Sequence, residues 1–176
     1  MTTLSSHELL SAVQAGRRDF SGEKLQGISL RGARLNGICF DGADLRDADL
    51  GGASLFQASL RGAFLNRAHL GIAHDSAADP NLDEIDLELE CTDLSQANLS
   101  GAFLIDARLF RANLRLANLS HADLRGATMR EADLTGAILK DANLNRADLT
   151  GARVNTDTLK DALTNGAILK DLQTQD

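Results

Sequence analysis

Large apolar side chains recur at every fifth position over most of this 176-residue chain, with polar residues between them. From Phe20 to Leu70 the apolar centres keep this step without a miss. They keep it again from Leu94 to Val154, one residue out of phase with the first run. Of these 24 centres 20 are Leu, the others being Phe20, Phe40, Met129 and Val154. Two residues before the centre stands Ala, at Ala33 and Ala43 to Ala68 in the first run and Ala97 to Ala152 in the second. Asp or Asn often lies between the two, as at Asp44, Asp49, Asn98, Asn113, Asp123 and Asn143.

A helix turns about 100° per residue, so a five-residue step would rotate successive leucines by about 140° and scatter them round the axis. A flat strand fails as well, because five is odd and side chains alternate with period two. The leucines share one interior only if the chain turns a corner in every repeat. Asp, Asn and Gly beside Leu are the residues expected to supply it, since they tolerate turn conformations. The pattern therefore predicts an all-β solenoid, its coils about 4.8 Å apart and joined by main-chain hydrogen bonds.

Stretches such as Ala43–Asp47 (ADLRD), Ala97–Gly101 (ANLSG) and Ala132–Gly136 (ADLTG) resemble the A(D/N)LXX motif of the pentapeptide repeat protein family. The resemblance covers residues 18–70 and 87–156. It implies a right-handed quadrilateral β-helix with four pentapeptides per coil and the Leu and Ala positions facing inward. Leu rather than Phe at most centres is closer to bacterial members, cyanobacterial ones especially.

The chain reads as a single domain, 1–176. Residues 1–17 are expected to form an N-terminal helical cap, since Ser5 and Glu8 fit a capping box and Leu9, Leu10 and Val13 form one apolar face. Repeat runs occupy 18–70 and 89–156, and 157–176 is expected to be a C-terminal helical cap with a helix over 157–164. Residues 71–88 interrupt the repeat and contain Pro80, the only proline.

Charge is unevenly placed. The formal net charge is −7, yet eight acids and no Lys or Arg lie between residues 71 and 95, and the remaining 18 basic and 17 acidic residues nearly cancel. Some family members resemble duplex DNA in width and charge and bind DNA gyrase or related type II topoisomerases. That mimicry needs acids spread along the rod in place of phosphates. Here twenty-residue columns mix signs, with Asp93, Asn113, Asp133 and Arg153 stacking and Arg111 above Glu131.

The four histidines show no triad or zinc-ligand spacing, and a convex solenoid offers no evident pocket, so neither a catalytic residue, a cofactor nor a metal is expected. Asp79, Asn81, Asp83 and Glu90 match part of a calcium-loop spacing, but Glu84 stands where that loop needs Gly. Candidate partner-binding residues are the acids Asp75, Asp79, Asp83, Glu84, Asp86, Glu88 and Glu90, together with the outward Phe103, Ile105 and Phe110, expected to form one patch. Phe56, Phe64, Leu116 and Ile138 also fall at outward positions. Trp and Tyr are absent, which removes most stacking platforms for nucleic acid. No signal-peptide core or membrane-length apolar run is present, which points to a cytoplasmic protein.

Three functional readings follow. The chain is a non-enzymatic interaction or scaffold protein for an unidentified protein partner, binding neither nucleic acid directly nor a membrane. Alternatively it is a DNA-mimicking topoisomerase modulator, or a structural rod that pairs with itself through a solenoid end.

Overall fold

The computed structural model describes residues 4–71 and 91–175. Parallel bridges join residues twenty apart along four columns, so each coil contains four pentapeptides. One column runs Lys24, Asp44, Phe64, Phe103, Asp123, Asn143 and Leu163; the others pass through Cys39, Asp49 and Ser54. In chain order these define four sides: the first through Cys39, the second through Phe64, the third through Asp49 and the fourth through Ser54. The expected stack of Asp93, Asn113, Asp133 and Arg153 lies on the fourth side.

Every centre from Phe20 to Val154 is at most 1 % exposed, and the alanines two residues before are buried beside them. Small and large groups alternate round the coil, which suits a narrow, close-packed interior. At the N-terminal end of this core the Phe20 and Phe40 rings meet in adjacent coils, 5.9 Å apart.

The corners correct one expectation. The residue with the special backbone is the second after each centre, which takes a left-handed φ at every corner from Gly22 to Arg67 and from Gln96 to Gly151. Gly fills about half of these places because it enters that region without a Cβ clash. Asp and Asn before the centre act as braces instead. Their side-chain oxygens accept the backbone N–H two residues on, as Asp93 does from Ser95 at 3.0 Å and Asn118 from Ser120 at 3.0 Å. The brace fixes the corner while leaving the Asp or Asn backbone in the ladder.

The two repeat runs stack in one ladder. Ser54 bridges Asp93, Ser59 bridges Asn98 and Phe64 bridges Phe103, each pair thirty-nine residues apart where twenty is the rule. Nineteen residues are thus interposed at a single corner, one more than the eighteen counted from sequence, and Leu94 is the next centre in the ladder after Leu70. Thr92 replaces the usual Ala here and is fully buried. Its Oγ1 donates to the Leu50 carbonyl at 3.0 Å and accepts the Gly52 N–H at 3.2 Å, stitching the re-entering chain to the coil above.

Helix α1 spans Ser6–Gln14 with Ser5 as its N-cap, and the reciprocal Ser5–Glu8 capping box is formed. Its Leu9 and Val13 join the hydrophobic core, while Leu10 is only partly buried. Arg18 Nη1 donates to the Val13 carbonyl at 2.7 Å and ties the helix to the first coil. At the other end, strand β1 (Arg153–Asn155) leads into α2 (Thr156–Lys160), and strand β2 (Gln173–Gln175) pairs in parallel with β1. The C-terminal helix is shorter than the expected 157–164. Leu163 and Ile168 enter the ladder against Asn143 and Asp148, and Gly166 turns a corner at φ 69°.

Candidate functional site

Most outward positions of the ladder carry Asp, Asn, Ser, Thr or Arg, whose polar groups brace corners or pair with charges. The second side departs from this. Phe64 and Phe103 face each other across one rung, ring centroids 5.1 Å apart and planes 8° from parallel. Each remains about two-fifths exposed, at 41 % and 39 %. An aromatic pair gains from such stacking, but its outer faces keep apolar area in contact with water.

Two fork-like ion pairs frame the rings. Arg46 Nε and Nη2 donate to Asp44 Oδ1 and Oδ2 at 2.7 and 2.6 Å on one side. Arg125 repeats the geometry on Asp123 at 2.8 and 2.7 Å on the other. The Arg46 guanidinium holds the Asp44 carboxyl below the usual carboxylate range. These pairs fix the polar rim next to the rings. Asn66 accepts the Ile105 N–H at 3.1 Å and locks the corner beside the rings across the same rung.

Along the corner between the first and second sides lies a shallow groove of about 550 Å³, lined by Asp41, Arg61, Gly62, Ser100, Gly101 and His121. It adjoins the rings because Gly62 and Gly101 stand two residues before Phe64 and Phe103. Asp41 accepts the Ser59 hydroxyl at 2.6 Å and the Arg61 N–H at 2.9 Å.

The predicted site residues do not come together as expected. Phe103 and Ile105 share the second side and its far corner. Phe110 stands one corner further on, half-covered, with the Arg111 guanidinium 5.4 Å from its ring centroid. The single patch is therefore divided by the third side. Phe103 pairs instead with Phe64, which sequence spacing missed because thirty-nine is not a multiple of the coil; subtracting the interposed residues reveals the match. The acids Asp75, Asp79, Asp83, Glu84, Asp86, Glu88 and Glu90, and the calcium-like spacing among them, lie outside the described residues. Phe56 is partly covered, and Leu116 and Ile138 are exposed elsewhere on the rod.

Most arginines of the second run are engaged by neighbouring acids. Arg111 pairs with Glu131 at 2.7 Å and Arg115 with Asp133 at 3.2 Å. His69 Nδ1 lies 3.1 Å from Asp49 Oδ1, and His121 stands 3.7 Å from Asp141. Among the described residues no group of His, Cys, Asp and Glu is placed to hold a metal ion, and no helix is long and apolar enough to cross a membrane.

Stacked twenty-residue coils with a filled interior and a patterned exterior define a β-solenoid repeat protein. The chain belongs to the pentapeptide repeat family, whose repeats match residues 10–47, 88–126 and 117–155 in eight copies. Among solved structures it is similar to full-length QnrB1, a plasmid-mediated fluoroquinolone resistance protein. Identity is 19 % over 90 % of this chain and 80 % of that one, with a TM-score of 0.52, a likeness of fold. It is also similar to Rfr23 from the cyanobacterium Cyanothece 51142, at 22 % identity over 89 % of this chain and 98 % of that one, TM-score 0.34. A third is HetL, involved in heterocyst differentiation regulation in the cyanobacterium Nostoc sp. strain PCC 7120. It is 27 % identical over 98 % of this chain and 95 % of that one, TM-score 0.24. None of the curated proteins matches the sequence.

Proposed function

We propose that the chain is a non-enzymatic protein-interaction module, a right-handed quadrilateral rod with helical end caps that presents its second side to a protein partner. The observation that carries this reading is the exposed Phe64–Phe103 stack with its Arg–Asp rim. Aromatic anchors beside arginine have the composition of an interface hot spot. The acidic interruption is a second contact region in this proposal.

Affinity capture from the source organism's lysate tests it with three proteins. These are wild type, a Phe64→Ser/Phe103→Ser variant, and a variant with Asp75, Asp79, Asp83, Glu84, Asp86, Glu88 and Glu90 changed to their amides. A partner lost only with the phenylalanines supports the second side; one lost only with the acids moves the site to the interruption. A partner kept by both variants overturns the proposal.

Self-pairing through the C-terminal coil is a second reading, favoured by one observation. Leu163, Ile168 and Leu169 are 58 %, 50 % and 41 % exposed in the last coil. Sedimentation equilibrium of wild type beside Leu163→Gln/Ile168→Gln tests it: a dimer abolished by the variant supports the reading, a wild-type monomer removes it. For a DNA-mimicking modulator of gyrase, the alternative reading, the cross-coil ion pairs weigh against a phosphate-like surface. Unchanged gyrase supercoiling in the presence of the protein is the expected result.

A further inference from the structure

The groove and the stacked rings form one continuous surface, and the charges along it are not balanced. Asp44 and Asp123 are each neutralised by a two-pronged arginine. Asp41 is engaged by the Ser59 hydroxyl and the Arg61 N–H. Arg61 differs. Its backbone is held on both sides, the N–H on Asp41 at 2.9 Å and the carbonyl accepting from Gly42 at 2.9 Å, while its guanidinium has no ion pair among the described residues. Lys24, two rungs from Phe64 on the same side, is likewise exposed and unpaired among them. Arg61 and Lys24, two cations with no ion-pair partner among the described residues, thus lie on the same face as an apolar platform.

Beside Arg61 the corner is open. A Cβ built on Gly62 or Gly101 would meet nothing within 4 Å, so a partner backbone can approach closely there. A guanidinium presents a planar fork of donors that matches a carboxylate in bidentate geometry, which favours a carboxylate partner. The rings call for an apolar side chain laid across them.

Resting on the interaction reading above, we infer that Phe64, Phe103 and Arg61 form a docking site for an acidic segment of a partner protein. Its aromatic or aliphatic side chain covers the rings while its carboxylates engage Arg61 and Lys24. A nucleic acid, which would offer bases to the rings and phosphates to the same cations, is the competing occupant that the oligothymidylate probe below tests.

Fluorescence anisotropy on the full chain tests this with defined probes: a labelled peptide EDFLDE, its neutral counterpart QNFLNQ, its basic counterpart KKFLKK, and a short oligothymidylate. EDFLDE is expected to bind saturably and more weakly as salt rises. Affinity should fall about tenfold in Arg61→Ala and about tenfold in Phe64→Ala/Phe103→Ala, with melting temperatures unchanged within a few degrees. KKFLKK should not bind, and QNFLNQ should bind more weakly than EDFLDE. Equal binding of QNFLNQ and EDFLDE, affinity indifferent to both variants, or no saturation by about 1 mM peptide would each overturn the inference. Tighter binding of the oligothymidylate would overturn it in favour of nucleic acid. The two levels separate cleanly in lysate. A partner that depends on Phe64 and Phe103 but is not displaced by EDFLDE leaves the interaction module standing and removes its acidic ligand. A partner indifferent to the phenylalanines removes the module reading itself.

Discussion

Phe64 and Phe103 stack at 5.1 Å although thirty-nine residues separate them, because the rungs on either side of the interruption continue one ladder. The pair straddles the interruption and reports its register. Closing a loop of this length costs only a few kcal/mol and rises slowly with length, so the coils on either side keep their ladder.

Deleting residues 72–90 therefore joins Gly71 to Cys91 in register, with Thr92, Asp93 and Leu94 following as one regular pentapeptide. Cys91 then occupies the left-handed corner place, so the deletion is best made with Cys91→Gly. The expected outcome is a folded rod with an unchanged β-type circular dichroism spectrum and stability within about 1 kcal/mol of wild type. Loss of cooperative unfolding would show that the interruption is needed to hold the two runs together.

Thr92→Val keeps volume but removes the hydroxyl that links Leu50 and Gly52. The Leu50 carbonyl still accepts from Ala53 at 3.0 Å, whereas the Gly52 N–H loses the acceptor the hydroxyl supplied. A cost of about 1–3 kcal/mol in urea unfolding is expected. Thr135→Val, two residues before Ala137 at a corner rather than in the core, should cost less.

Leu116 holds a left-handed φ of 57° and is 58 % exposed, the one corner among the described residues where an apolar side chain takes that conformation. Its branched side chain crosses the next coil above Gly136, where an added Cβ would lie 2.7 Å from Leu116 Cδ2. Left-handed backbone costs an ordinary residue about 1–2 kcal/mol. Leu116→Asn should thus raise stability by about 0.5–1 kcal/mol, read from the denaturation midpoint. A decrease would mean that its cover of Gly136 outweighs the strain.

Acid should destabilise the rod. The Asp44 carboxyl is held below its ordinary pKa by Arg46, that of Asp47 by Arg67 and then Gln26, and that of Asp19 by the Ser21 hydroxyl and N–H. Folding lowers these values, so the unfolded chain binds more protons in acid. The stability they contribute is fully present above about pH 4 and is lost as pH falls through the folded-state values. Melting temperature should be flat from about pH 8 to 5 and fall below about pH 4. Arg67→Met should flatten that fall, since Asp47 then titrates nearer its ordinary value; an unchanged slope would remove the cross-coil pair from the explanation.

The repeat by itself determined the interior. A five-residue step can bury every Leu only if the chain turns within each repeat, so the buried set, the twenty-residue columns and the Arg111–Glu131 pair were all legible from spacing. The Ser5–Glu8 box was legible too, being local in sequence. Tertiary structure decided what spacing leaves free. It assigned the left-handed conformation to the second residue after the centre and made Asp and Asn its braces, because the coil above supplies the hydrogen bonds that choose between two polar positions. It shortened the C-terminal helix, since Leu163 and Ile168 gain ladder bonds against Asn143 and Asp148 that an isolated helix of that length cannot match. It also set Phe103 on Phe64 rather than beside Phe110. Which side chains meet across an interruption depends on where the chain departs and returns in space, and no periodicity within either run records that.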